Sequence, residues 1–349
     1  MRNFTFKGLF LTAVFMLLGC FSIQAADDDL ITKQITIKLD KAGTLPNKIA
    51  SSEMYKITNL KIIGEINGTD WNMIREMAGR DNRGYGTEGK LSVLDLSEAK
   101  IVKGGDSYYP GDNCYTSNDE IGEKAFTDCS RLTSLTLPVG ITSIGYDAFA
   151  YCSGLTSLTL PAGITSIGEY AFYGCSGLTS LNLPAGITEI GESTFSDCSG
   201  LTSLTLPDGI TSIGISAFSG CSRLTSLTLP AGITSIGEFA FSYCSGLTSI
   251  YVYAEKVPRI GRYAFEGCAS RKCTLYVPKG TYDNYRLSEF GYFENIVEFD
   301  ATGIDKTTTS TDVEEVSRYS ADGQRLAVPV KGLNIVKYSD GTARKVVVK

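Results

Sequence analysis

Leu155-Thr-Ser-Leu158-Thr-Leu160-Pro161-Ala-Gly163-Ile164-Thr-Ser-Ile167-Gly168-Glu-Tyr-Ala171-Phe172-Tyr-Gly-Cys175-Ser-Gly fills 23 residues. The same frame returns at Leu178, Leu201, Leu224 and Leu247, and it already stands at Leu132. A fixed period in the twenties, with leucines at the first, fourth and sixth places, is the signature of a solenoid of short parallel strands. One such unit cannot bury its apolar face alone, whereas stacked units bury a continuous one.

Side chains alternate along a strand, so Leu158 and Leu160 point inward while Ser157 and Thr159 point outward. Stacking coils about 4.8 Å apart turns each outward place into a row. One row is Ser134, Ser157, Ser180, Ser203, Ser226 and Ser249; the other is Thr136, Thr159, Asn182, Thr205, Thr228 and Tyr251. The face is neutral and rich in hydroxyls, suited to hydrogen bonding with an extended partner; threonine is also simply a good strand residue. Pro138, Pro161, Pro184, Pro207 and Pro230 end the strands, because proline has no ladder donor. Gly145, Gly168, Gly191, Gly214 and Gly237 mark a positive φ or a tight backbone. Phe149, Phe172, Phe195, Phe218 and Phe241 make an inner aromatic stack.

Cysteines 129, 152, 175, 198, 221 and 244 occupy one place in the period. Equivalent side chains on adjacent coils project in parallel and stay about 4.8 Å apart, too far for a disulfide. They read as a ladder of buried thiols, each a small hydrophobe. A line of thiols is no tetrahedral metal site. Cys268 and Cys273 are the one pair placed for a bridge, since Cys273 breaks the period.

Outward from the regular copies, Ile57-Thr-Asn-Leu60-Lys-Ile62 and Leu91-Ser-Val-Leu94-Asp-Leu96 keep the same spacing and read as the first two strands. In the return between them Trp71, Ile74 and Ala78 sit at helical spacing, with Thr69 or Asp70 as cap and Gly79 as stop. The next return carries an insertion: Leu96 to Ile121 is 25 residues, against seven from Leu137 to Ile144. Residues 104–115 read as a turn-rich loop in which Tyr108, Tyr109 and Tyr115 either contact a ligand or pack on the neighbouring coil. Beside the periodic phenylalanines lie Tyr146, Tyr151, Tyr170, Tyr173, Phe239, Tyr243 and Tyr263, on the return side, either an aromatic strip for a ligand or packing between turns.

At the N-terminus, Arg2 and Lys7 precede an apolar run from Gly8 to Ile23, the plan of a secretory signal peptide over residues 1–25. Ile23-Gln24-Ala25 resembles a signal peptidase site, and Leu17-Leu18-Gly19-Cys20 resembles a lipobox that would lipidate Cys20. The expected organisation is a cap over 26–56, the solenoid over 57–280, an aromatic-rich cap over 281–300, a linker over 301–312 and a small all-β module over 313–349. In the last of these, Asp322-Gly323 and Asp340-Gly341 read as hairpin turns.

The unit LxxLxLPxxIxxIGxxAFxxCxx resembles the BspA-like, or Treponema pallidum type, class of bacterial leucine-rich repeats, over roughly residues 57–280. The resemblance implies an α/β repeat, a leucine-rich-repeat solenoid, in a secreted or surface protein that adheres to host extracellular-matrix or cell-surface proteins. It supplies no fixed binding residues. The Gly332-Leu333-Asn334-Ile335-Val336 and Lys345-Val346-Val347-Val348-Lys349 segments resemble the C-terminal sorting tails of secreted Bacteroidetes proteins, which implies an outer-membrane or extracellular location.

Composition narrows the function classes. The chain has 349 residues, a formal net charge of −6 and no histidine. The charge gives no basic stripe for nucleic acid. Without histidine the commonest general base, the usual Ser and Cys triads and most zinc sites are missing. Glu169 and Glu192 could be paired as glycosidase carboxylates, but they recur at one surface place in the period. The expectation is a non-catalytic binding protein without cofactor or metal, using Ser157, Thr159, Ser180, Asn182, Ser203, Thr205, Ser226 and Thr228, with Tyr108, Tyr109 and Tyr115 beside them. Host proteins are the expected partners and glycans the second class; membrane contact would come only through a lipid anchor on Cys20.

Overall fold

The computed structural model describes residues 29–301, apart from 110 and 112, and four strands within 315–348. It comprises two units, one ending at Phe299 and one over Asp300–Lys349. The residues expected as signal peptide, including Cys20, and the two expected Asp-Gly turns lie outside the described residues.

The first unit is a parallel-strand solenoid of about eleven turns with little helix. Its main sheet runs as seven strands, Ile35–Lys38, Asn59–Ile66, Val93–Ile101, Ser134–Thr136, Ser157–Thr159, Ser180–Asn182 and Ser203–Thr205. Four more follow at Ser226–Leu229, Ser249–Val252, Thr274–Pro278 and Asn295–Phe299. The outermost strands, Ile35–Lys38 and Asn295–Phe299, come from the segments expected as caps, so the ladder runs past both expected ends. Each return of the regular coils carries a second, two-residue strand, such as Ser143–Ile144 and Ser166–Ile167, paired parallel to its neighbours, and no helix.

The repeated residues explain the stack. Leu155, Leu158, Leu160, Ile164, Ala171, Phe172 and Cys175 are all buried, and their counterparts in neighbouring coils join one core. The phenylalanine rings from Phe126 to Phe265 lie nearly parallel, with centroids 5.2–5.5 Å apart, an offset stack running the length of the regular coils. The repeated glycines serve close approach and not a left-handed turn: a Cβ on Gly145 would lie 2.6 Å from Glu123 N, and one on Gly237 only 2.5 Å from the Gly214 carbonyl carbon.

Side chains add ladders to the backbone ones. Thr156, Thr179, Thr202, Thr225 and Thr248 each donate Oγ1–H to the carbonyl of the threonine one coil earlier, at 3.1–3.4 Å. The cysteines do the same inside: Cys152, Cys175, Cys198, Cys221 and Cys244 donate Sγ–H to Phe126, Phe149, Phe172, Phe195 and Phe218, at 3.1–3.3 Å. Cys268 continues this ladder to Phe241 O at 3.2 Å, and both it and Cys273 are buried thiols, so the expected bridge between them is not made. Its thiol is held by the ladder, as in the coils from Cys152 to Cys244.

The N-terminal end shows how the stack is closed. Within the regular coils the N–H of Lys124 and of Phe126 donates forward to Tyr146 O and Ala148 O of the next coil. The corresponding carbonyls of the first regular coil, Glu123 O and Ala125 O, have no regular coil before them. Tyr108 Oη donates to Glu123 O at 2.8 Å, while Trp71 Nε1 and Arg75 Nη1 both donate to Ala125 O at 2.9 Å. Trp71 also meets Phe126 at 5.1 Å and so ends the ring stack. Trp71 and Arg75 are set by the helix Gly68–Met77, whose cap Asn67 lies two residues before Thr69 and three before Asp70, the expected caps: Asn67 accepts from Thr69 N–H, and Asp70 accepts from Asn67 N–H, a capping box. Asp70 further accepts from Gly43 N and Leu45 N, tying the segment before the second strand to the helix. At the other end Phe290 and Phe293 cover Phe265 at 5.5 and 5.1 Å.

The second unit is a four-stranded antiparallel sheet, in the order Arg325–Leu326, Glu315–Ser320, Gly332–Tyr338, Ala343–Val348.

Two outcomes follow from this packing. Phe195→Ala, in mid-stack, removes a fully buried ring and its contacts with two neighbours; it is expected to cost about 3–5 kcal/mol in urea unfolding, whereas the exposed Thr205→Ala stays within about 0.5 kcal/mol. Burial pushes the thiols of Cys129 up to about 11 and Cys175 up to about 12. At pH 8 that leaves at most about a thousandth of each as thiolate, so the repeat thiols are expected to resist an aromatic disulfide reagent in the native protein and to react in full in denaturant. Prompt labelling of the folded chain would contradict a sealed ladder.

Candidate functional site

The outward rows form as the alternation predicts. Ser134, Ser157, Ser180, Ser203 and Ser226 are exposed, as are Thr136, Thr159, Asn182, Thr205 and Thr228, each flanking a buried leucine. They are in register: Ser134 pairs with Ser157, Ser180 with Ser203, and Thr136 with Thr159. The face carries hydroxyl and amide groups without ionised ones along these coils.

Its two ends differ. Toward the N-terminus the second row passes through Asp95, Lys61 and Thr36. Lys61 Nζ lies 3.3 Å from Asp95 Oδ2 and 2.7 Å from Glu98 Oε1, and those hydrogen bonds, the Glu98 one first, raise its pKa. Toward the C-terminus the same row becomes Tyr251, Tyr276 and Val297. The rings of Tyr251 and Tyr276 lie flat on each other, 4.3 Å apart with planes 5° from parallel. Phe299 stands edge-on to Tyr251 at 5.9 Å and to Tyr253 at 5.1 Å. All four rings are half-buried or exposed, so the neutral face ends in an aromatic platform. The fixed period missed Tyr276, because it lies 25 residues after Tyr251 and not 23. The signal was Thr274-Leu275-Tyr276-Val277-Pro278, which keeps the strand-then-proline frame.

Of the two readings of the insertion, ligand contact or packing, Tyr108 takes the second. Gly104–Tyr109 and Cys114–Thr116 pair antiparallel as a hairpin, and its first strand packs on the helix Gly68–Met77. Tyr108 is 1% exposed, with Trp71 at 6.2 Å, and is part of the end closure, so it cannot touch a partner. Tyr109 is half-buried beneath Arg75 and Lys124, whose charges lie 5.3 and 5.4 Å from its ring centre. Tyr115 alone of the three is well exposed. An open cleft of about 780 Å³, which the sequence did not signal, lies between residues 46–54 and the helix face of Thr69, Asn72, Met73 and Glu76. Burial raises the Glu76 carboxyl there above its ordinary range. Glu192 of the suggested carboxylate pair accepts a hydrogen bond from Tyr170 Oη at 2.6 Å, while Glu169 is exposed.

Among solved structures the chain is similar to a leucine-rich-repeat protein of T. pallidum, at 28% identity over 46% of this chain and 74% of that one, with a TM-score of 0.41. It is also similar to a leucine-rich-repeat protein from Bacteroides ovatus, at 23% identity over 53% of this chain and 59% of that one, TM-score 0.32. A leucine-rich cell surface protein from Faecalibacterium prausnitzii matches at 19% identity over 76% of this chain and 87% of that one, TM-score 0.32. Comparison with curated proteins finds no match. The chain matches the family described as the BspA type leucine rich repeat region, in six copies, over residues 119–245, 165–289 and 211–313. Solenoids of this kind are typically non-catalytic. The 23-residue coil, its inner Leu, Ile, Phe and Cys ladders and this match together make the chain a member of the BspA-type leucine-rich-repeat family.

Proposed function

We propose that the chain is exported to the cell surface and binds a protein partner of the host matrix or host cell surface along its strand face, without catalysing a reaction. The observation that carries this reading is the row of small outward hydroxyls, in register within each of two successive sheets, that ends in the Tyr251, Tyr253, Tyr276 and Phe299 platform. A flat row of hydroxyl and amide groups can hydrogen-bond an extended segment at regular intervals. Aromatic rings at one end supply the large, rigid contact area in which binding energy concentrates. The N-terminal Arg2, Lys7 and Gly8–Ile23 sequence supports export, and the family supports a surface-protein role. Capture of a glycan is the second reading, favoured by the same platform, since flat tyrosine faces also stack on sugar rings.

The test is a binding screen of immobilised protein against matrix proteins, mucins and glycans at physiological salt, followed by Tyr251→Ala with Tyr276→Ala. Both residues are only half-buried, so the double variant is expected to unfold at nearly the parent temperature and to bind its protein partner at least about tenfold more weakly. Binding to glycans alone would replace the protein reading with the glycan one. A protein partner that binds the double variant unchanged would remove the strand face from the account.

A further inference from the structure

A second surface lies on the return side, in the coils around Tyr170, and its geometry is costly. Tyr170 holds φ at +57° and Tyr151 at +59°, the left-handed region that bulky side chains avoid. In other coils the place of Tyr151 holds Asp128, Gly174, Asp197, Gly220 and Gly267, which take this conformation readily, and once another tyrosine, Tyr243. Strain kept where the repeat itself offers a relaxed alternative points to a use for the ring.

The ring is also presented in a particular way. A Cβ on Gly174 would lie 2.9 Å from Tyr151 Cδ1, so one side of the Tyr151 ring rests on the backbone of the next coil while the side chain stays 51% exposed. Tyr151 meets Tyr173 edge-on at 5.2 Å, Tyr173 meets Tyr170 at 5.9 Å, and Tyr170 meets Tyr146 at 5.5 Å. Four tyrosines thus form one continuous patch. Carboxylates rim it. Glu192 accepts from Tyr170 Oη, and burial, followed by the charge of Asp197, pushes the Tyr173 phenol up to about 12.

Electron-rich ring faces beside carboxylates attract positive charge, through cation–π contact and ion pairing together. A neutral sugar would meet the carboxylates only as hydrogen-bond acceptors, without the charge attraction. We propose that the patch of Tyr146, Tyr151, Tyr170 and Tyr173, with Glu192 and Asp197 at its edge, binds arginine- or lysine-bearing segments of a partner protein. This surface is separate from the strand face, and its test is independent of that reading.

The probe is a fluorescent hexa-arginine peptide, titrated by anisotropy into the purified chain. Tyr151→Gly changes no charge and replaces a strained residue with one the repeat already uses there, so the variant is expected to fold with unchanged or higher thermal stability. It is expected to bind the peptide about two- to fivefold more weakly, the span of one exposed cation–π contact, and adding Tyr146→Ala should weaken it by a similar factor again. Glu192→Gln should reduce both the affinity and its salt dependence. Undiminished binding by Tyr151→Gly would show that general attraction to an acidic chain is at work and would overturn the proposal. So would no binding by the parent, or equal binding of a serine peptide or a neutral oligosaccharide.

Discussion

The structure depends on one constraint: a 23-residue coil cannot satisfy its own polar backbone. The threonine hydroxyls and cysteine thiols donate to the coil before, while around each phenylalanine the N–H groups aim at the next coil and the carbonyls face the one before. A buried peptide group without a partner costs a few kcal/mol, so a coil is stable only between neighbours. The apolar residues need the same neighbours, since the phenylalanine rings are covered by one another. Polar and apolar requirements therefore have the same period and the same solution.

The forward sense of the N–H groups around each phenylalanine also explains the ends. A ladder with a sense has a starting face lacking donors, and that face cannot be finished by another copy of the same coil. Trp71, Arg75 and Tyr108 finish it with side-chain donors, two from a helix and one from a hairpin, at carbonyls the regular coil leaves open. The apparent irregularities near the N-terminus, the long returns, the lone tryptophan and the inserted tyrosines, are one device. The opposite end asks less, and Phe290 and Phe293 close it mainly by covering the last ring.

What the sequence disclosed divides along the same line. Residues whose role repeats were legible, because counting by 23 places Ser157, Phe172 and Cys175 without knowing any contact. The inner and outer faces of the strands, and the thiol ladder with them, follow from that count alone. Residues whose role depends on an end or a break were not. Tyr108 stayed open between ligand contact and packing because its partner, Glu123 O, is a carbonyl in another coil. Cys268 and Cys273 looked like a bridge because spacing alone does not reveal that Phe241 O already takes the first thiol. The platform was half seen: Tyr251 stood in the counted row, whereas Tyr276 and Phe299 lie in coils whose lengths differ from the period.

Closing the array with dedicated ends, separate from its coils, leaves the number of coils free to vary. Copies as alike as those at Leu155 and Leu224 can be gained or lost by recombination within the gene without touching either terminus. Each event would lengthen or shorten the hydroxyl face by about 4.8 Å and leave its chemistry unchanged. Reach can therefore evolve separately from specificity, which on the proposed function rests on the aromatic end.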